Sequence, residues 1–216
     1  MNQDCQYVDI HTHKSHFNDN EIFIKNIFPE EEFPLSPFSI GQHPWYNGMS
    51  ISNLELILTK ATKLKQCYAI GEIGLDKMSG IPFNIQQSFF EFQVDFAVSA
   101  KLPVIIHNVK STQEILNTIK GKDTKFIFHG FTGNVKTMKQ IVDNGYYVSF
   151  GQSLMHHKAT MEAITQVPAN SFFLETDNSE YSISEIYKQA ICLLNNKQSL
   201  FSCLINNFTT IFPQSN

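Results

Sequence analysis

The sequence predicts an α/β fold, a compact and distorted (β/α)8 TIM-type barrel that lacks an outer helix near residues 28–37. Short apolar runs alternate with longer amphipathic ones, the pattern of strands interleaved with helices around a largely parallel sheet. Several of the eight strand candidates also end on a histidine or an acid. Barrels of this kind usually take about 250 residues. A chain of 216 residues therefore calls for a stripped-down version in one domain, 1–216. An open doubly wound sheet is the competing arrangement for the same alternation.

The strand candidates are residues 6–10, 22–27, 37–41, 67–71, 103–106, 125–128, 146–150 and 171–174. Pro29, Pro34 and Pro37, set in an acidic stretch, exclude a helix between the second and third strands, because proline removes a backbone donor and clashes with the preceding turn. Helix candidates follow at 51–65, 84–100, 111–120, 134–144, 154–165, 182–195 and 198–210. In the first of them Ile51, Leu54, Leu58, Ala61 and Leu64 recur at helical spacing, while Lys60, Lys63 and Lys65 mostly fall elsewhere. Between 84 and 100, Phe89, Phe92, Phe96 and Ser99 mark the predicted inner face. Gly121, Lys122 and Asp123 read as a turn, and Pro213 closes the last helix.

Hydrophobic residues make up 42% of the chain and charged ones 17%, a globular balance. A net charge of −4 and a pI near 6.0 give no general attraction for polyanions. A nucleic acid would have to be held locally, by metal ions and a few basic or amide groups. Cys5, Cys67, Cys192 and Cys203 are scattered without a C-x2-C pair and read as free thiols in a reducing compartment. The opening residues lack a positive segment and a long apolar one, and no apolar stretch reaches the roughly 18 residues that cross a bilayer. A cytoplasmic protein with neither a membrane partner nor an obligate protein partner is expected.

Asp9, His11 and His13 alternate at the end of the first strand candidate. Period-two geometry puts the imidazoles on one face, where they converge on one ion, and leaves Asp9 to hold a ring or the strand end from behind. Glu72 follows the apolar run 67–71, His107 follows 103–106, and His129 follows 126–128. After 172–174 come Glu175, Thr176 and Asp177, and since the two acids share a face, spacing does not choose which one meets a metal. Any one of these groups alone would be an ordinary hydrogen-bonded residue. Recurring at the ends of five strand candidates, they supply what a metal centre on the active face of a barrel requires. Imidazole with carboxylate and no thiolate suits zinc, manganese or magnesium. The set exceeds what one tetrahedral ion needs, so two divalent ions sharing a carboxylate is the economical reading, with Glu72 as the natural bridge.

The fragments DIHTH at 9–13, GQHPW at 41–45, GEIGLD at 71–76, PVIIH at 103–107, HGFTG at 129–133 and ETD at 175–177 resemble, in kind and order, the TatD-type metal-dependent deoxyribonucleases of the amidohydrolase superfamily. The resemblance runs from residue 9 to about 180. It implies a distorted (β/α)8 barrel that hydrolyses phosphodiester bonds in DNA. It also implies that His11, His13 and Asp177 hold one ion, that His107 and His129 hold the second, and that Glu72 bridges. Lys14 and Ser15 stand where the family commonly has Leu-Asp, and Trp45 where a second histidine is usual. Val109, with Lys110 beside it, occupies the place of a common arginine. Lys110 restores the charge but not the bidentate fork.

The expected mechanism is attack by a metal-activated water, with Asp177 accepting its proton and His43 donating to a phosphate oxygen or the leaving group. Trp45 is placed to stack on a base, with Lys77 and Lys110 lining the mouth for phosphate. His16 falls in a polar loop, His156 and His157 face solvent from a helix, and Glu175 serves as support behind the ligands. DNA or a small phosphoester, held transiently, is the expected partner. Hydrolysis of a small ester, lactone or amide by the same ligands is the first alternative, and a non-catalytic metal-binding protein the second.

Overall fold

The computed structural model describes residues 6–14, 18–195 and 197–212; Cys5, Ser15, His16 and Pro213 lie outside them. Its strands are β1 (Tyr7–Thr12), β2 (Glu21–Ile27), β3 (Phe38–Ile40), β4 (Cys67–Asp76), β5 (Val104–Val109), β6 (Phe126–Phe128), β7 (Tyr147–Phe150) and β8 (Phe172–Leu174). They are neighbours in chain order in one eight-stranded sheet. A parallel bridge between Thr12 and Asp177 joins the ends of β1 and β8. That order is the (β/α)8 TIM-type barrel expected from the alternation of apolar runs. The helices are α1 (Ile51–Ala61), α2 (Phe83–Ala100), α3 (Thr112–Ile119), α4 (Val135–Val142), α5 (Ser153–His156), α6 (Lys158–Ile164), α7 (Ile183–Leu194) and α8 (Lys197–Ile211). Residues 28–37 run as turns and bends with no helix, as the prolines require. No helix among the described residues is long and apolar enough to cross a membrane.

The chain falls into two compact units, Met1–Lys25 with Phe128–Ile211, and Asn26–Ile127 with Phe212–Asn216. In the first, α7 and α8 pack against β1 through an aromatic cluster. Tyr187 meets Tyr7 edge-on at 5.0 Å and Phe201 at 4.9 Å, and its hydroxyl accepts from Val8 N at 2.9 Å. The α7 start is fixed by a capping box in which Ser182 and Glu185 each accept from the other's backbone N–H. At the far end of β8, the Asn207 amide donates to Ala169 O and Phe172 O, both at 2.9 Å.

In the second unit, β3 pairs with β4 and β4 with β5, all parallel. Helix α1 buries Leu54, Leu58 and Ala61, whereas Ile51 and Leu64 at its flanks stay exposed. Each leucine so buried contributes roughly 1.5–3 kcal/mol. The predicted inner face of α2 is corrected: the helix buries Gln86, Phe90, Gln93, Val94 and Ala97, and Ser99 is exposed. Apolar residues ring this helix, so the phenylalanines flank the buried stripe, and two glutamines point inward. Both are bonded to backbone at strand ends. Gln93 accepts from Gln42 N at 2.6 Å and donates to Gln42 O at 3.2 Å. Gln86 accepts from Asp76 N at 2.8 Å and donates to Asp76 O at 3.0 Å.

A second correction falls on the helix expected over 154–165, which breaks at His157. That residue is extended (φ −102°, ψ 99°) and its side chain caps α6 by accepting from Thr160 N. It is half-buried there, while His156 is exposed.

Candidate metal-binding groups

The first unit gathers His11, His13, His129 and Asp177. His11 sits near the end of β1 and is fully buried, with His13 two residues on, so alternation sends both imidazoles to one face. Their rings are 5.3 Å apart, and the His129 ring, which follows β6, lies 4.3 Å from that of His11. Asp177 follows β8 in a left-handed conformation (φ 50°). Its N–H donates to His11 O at 2.9 Å and its carbonyl accepts from His13 N at 3.2 Å, so the backbone of one strand end clasps the other. The result sets Asp177 Oδ1 at 3.6 Å from Nε2 of both His11 and His13.

Glu175 and Asp177, which spacing leaves equivalent, do different work. Glu175 is fully buried. Its Oε1 accepts from Gly130 N at 2.6 Å and lies 3.3 Å from His129 Nδ1, which orients that ring. Asp9 faces the same strand end, accepting from Thr176 N at 3.0 Å and lying 2.6 Å from the Thr176 hydroxyl. Burial is the main cause that lifts its carboxyl to about 7, with the Thr176 bonds opposing.

The second unit gathers His43, Glu72, Asp76 and His107. Glu72 lies within β4 and His107 within β5, with Gly74 as the register partner of His107. A β-carbon at Gly74 would stand 1.9 Å from the His107 carbonyl oxygen, so only glycine lets β4 pass here. Glu72 Oε1 lies 2.8 Å from His107 Nδ1 and 3.2 Å from His43 Nε2. Asn26 Oδ1 accepts from Glu72 N at 2.8 Å and steadies the strand from behind.

His43 Nδ1 accepts from Trp45 N at 3.2 Å. In the neutral ring the proton therefore sits on Nε2, facing Glu72. The remaining His107 nitrogen, Nε2, is 3.2 Å from Asp76 Oδ2, which also accepts from the Trp45 indole at 2.6 Å. Desolvation raises the Asp76 carboxyl, but the bonds from Trp45, Met78 N and His107 outweigh it and hold the group below its ordinary value. Asp76 is a member of this side-chain group that the predicted set does not include. Its signal was available, because Glu72, Gly74 and Asp76 alternate along β4 and share a face.

Of the predicted substrate-side residues, Trp45 is 55% exposed beside His43, its ring 4.7 Å away and edge-on. Lys77 is paired with Glu114 and lies 5.7 Å from the Phe83 ring. Lys110 Nζ lies 3.3 Å from Met78 Sδ. Ligand atoms of His11, His129 and Asp177 fall within 4.8 Å of one another, as do those of His43, Glu72 and His107, so each unit holds a group able to take an ion.

The sequence model of the family described as TatD related DNase matches residues 8–182. An uncharacterized metal-dependent hydrolase from Haemophilus influenzae is 31% identical over 159 residues, 68% of this chain and 60% of that protein. Deoxyribonuclease Tat-D of Schizosaccharomyces pombe is 26% identical over 130 residues, 57% of this chain and 42% of that one. The chain thus spans less than two thirds of the length of these relatives. The crystal structure of a TatD homologue from Escherichia coli superposes with a TM-score of 0.83 over 99% of this chain and 100% of that one, at 22% identity, a likeness of fold.

Proposed function

The chain belongs to the TatD-related DNase family, and from that premise we propose that it is a divalent-metal-dependent phosphodiester hydrolase acting on DNA held transiently. One observation carries the reading: Asp177 Oδ1 stands 3.6 Å from each of two imidazole nitrogens. That separation is too long for a hydrogen bond and close to the roughly 3.4 Å between donors around a tetrahedral ion with bonds near 2.1 Å. The donor chemistry of the second group fits a cation equally. His107 stands between the carboxylates of Glu72 and Asp76, a set of nitrogen and oxygen donors that suits a divalent ion.

His11, His13, His129 and Asp177 would hold one ion, and Glu72 with His107 the other, as zinc, manganese or magnesium. When bound, such ions supply Lewis acidity that acidifies water and offsets charge on a phosphoryl oxygen. Asp177, with a side chain 31% exposed, accepts the proton that the attacking water loses. With Glu72 engaged by an ion, the Nε2 proton of His43 that now faces that carboxylate would be released to a phosphate oxygen or to the departing one. The indole bond to Asp76 fixes the tilt of Trp45 and leaves its face to a nucleobase. Lys110 supplies charge at the mouth without the bidentate grip of an arginine, which keeps binding weak. The free thiols Cys67, Cys192 and Cys203 suit a reducing cytoplasm.

The test is a screen of metal-reconstituted protein against labelled single- and double-stranded DNA, bis(p-nitrophenyl) phosphate and a panel of carboxyl esters, lactones and amides. Glu72→Ala serves as the contamination control. Hydrolysis of the phosphodiesters, lost in the control, is the expected result. Turnover confined to esters or amides would reject the reading, and bound metal without any hydrolysis would leave a binding protein.

A further inference from the structure

Beside the catalytic group of the second unit lies a cavity of about 370 Å³, lined by Phe28, Pro29, Glu30, Glu31, Gln42, His43 and Tyr46. It is within the volume range of small-molecule sites, on the order of 300–1,000 Å³. The segment that replaces the missing outer helix builds one wall. Phe28 N donates to Glu31 Oε2 at 2.9 Å and Glu31 N donates to Phe28 O at 3.0 Å, a closed turn that sets an aromatic ring beside two acids. The turn after β3 builds the other wall, with Tyr46 N donating to His43 O at 3.1 Å. The rings of Phe28 and Tyr46 meet at 5.4 Å and 69°.

The lining combines two carboxylates and an amide with the imidazole of His43. Glu30 and Glu31 are acceptors when ionised. Gln42 is 4% exposed, its backbone is locked by Gln93, and its Oε1 has no hydrogen-bond partner among the described residues. A buried amide oxygen left unpaired is costly, so a donor brought to it is favoured. Carboxylates at the rim repel phosphate, so the cavity does not take the backbone of a nucleic acid. An edge-to-face aromatic pair beside acceptors suits a heterocycle that presents N–H groups.

Resting on the phosphodiesterase reading, we infer that this cavity seats the nucleobase next to the scissile bond and selects bases with an exocyclic amino group. Adenine, cytosine and guanine offer that group to Gln42 and the two glutamates, while Phe28 and Tyr46 contact the ring. Thymine offers one N–H between two carbonyl oxygens, and those oxygens would face carboxylates. Seating a base here brings the adjoining phosphodiester to His43, which forms part of the same wall.

Two measurements on the metal-loaded full chain test this. In equilibrium dialysis with the free nucleosides, which have no bond to cleave, deoxycytidine should be retained roughly tenfold or more over thymidine. Equal retention, or none of either, overturns the inference. In hydrolysis of short single strands, oligo-dC should be cut faster than oligo-dT, and Glu30→Gln with Glu31→Gln should shrink that ratio towards one. An unchanged ratio in a folded double variant also overturns it. Discrimination between nucleosides without hydrolysis of any phosphodiester would instead reject the phosphodiesterase reading and leave the cavity assignment standing. Hydrolysis of bis(p-nitrophenyl) phosphate without nucleoside discrimination would do the reverse.

Discussion

The two ligand groups differ in how they are held without a metal. In the second unit hydrogen-bond-length contacts of 2.6 to 3.2 Å link Glu72, Asp76, His43, His107 and Trp45. In the first, backbone bonds place Asp177 but leave its carboxylate 3.6 Å from both imidazoles. Side-chain bonds organise one group, and strand-end backbone bonds set the Asp177 carboxylate of the other. Metal removal should therefore disturb the first far more than the second, and substitutions should sort the same way.

The largest effect is expected from Asp177→Asn. Losing the proton acceptor and a ligand oxygen together should cut turnover roughly 10²–10⁴-fold with the fold intact, as read by steady-state rates beside thermal melting. Near-normal turnover would remove Asp177 from its role. Next is Gly74→Ala, whose added carbon meets the His107 carbonyl at 1.9 Å. Forcing β4 from β5 should cost about 3 kcal/mol, measured by denaturant unfolding. A silent substitution there would show that the second group tolerates displacement, contrary to its tight bonding.

Asp76→Asn is milder, because the ring of His107 keeps Glu72. A loss of roughly 10–100-fold in metal affinity or rate is expected, with Trp45 fluorescence shifted as the indole loses its acceptor. The smallest effect is on pH dependence. The buried Asp9 carboxyl sits at about 7 against an ordinary 3.8. The folded chain thus keeps a proton that the unfolded chain has already released between those values. With chelator present, stability should fall as pH rises from about 4 through 7, and Asp9→Asn should flatten that slope. A wild-type slope of the opposite sign would contradict it.

Most of the fold was legible in the sequence because strands here are short apolar runs with turn residues between them, and because the prolines of 28–37 forbid a helix. What the apolar pattern misread was the inner face of α2, where two polar residues turn inward. Gln86 and Gln93 face the strands since backbone groups there need partners, a demand invisible in a hydropathy pattern. The strand-end imidazoles and acids were legible for the opposite reason, standing directly after apolar runs. Asp76 escaped because β4 was expected to stop at Gly71 and instead runs to Asp76, so its alternation with Glu72 was cut short. Glu175 and Asp177 could not be told apart by spacing. What separates them is the pair of backbone bonds that turns Asp177 toward the histidines.

The most direct test is to strip the protein with chelator and follow hydrolysis of bis(p-nitrophenyl) phosphate as manganese or zinc is returned. The rate should start near zero, rise to a plateau at about two ions per chain, and stay near zero for Asp177→Asn at every loading. Activity that survives chelation, or a folded protein that binds its ions and cleaves no phosphodiester, would contradict the account.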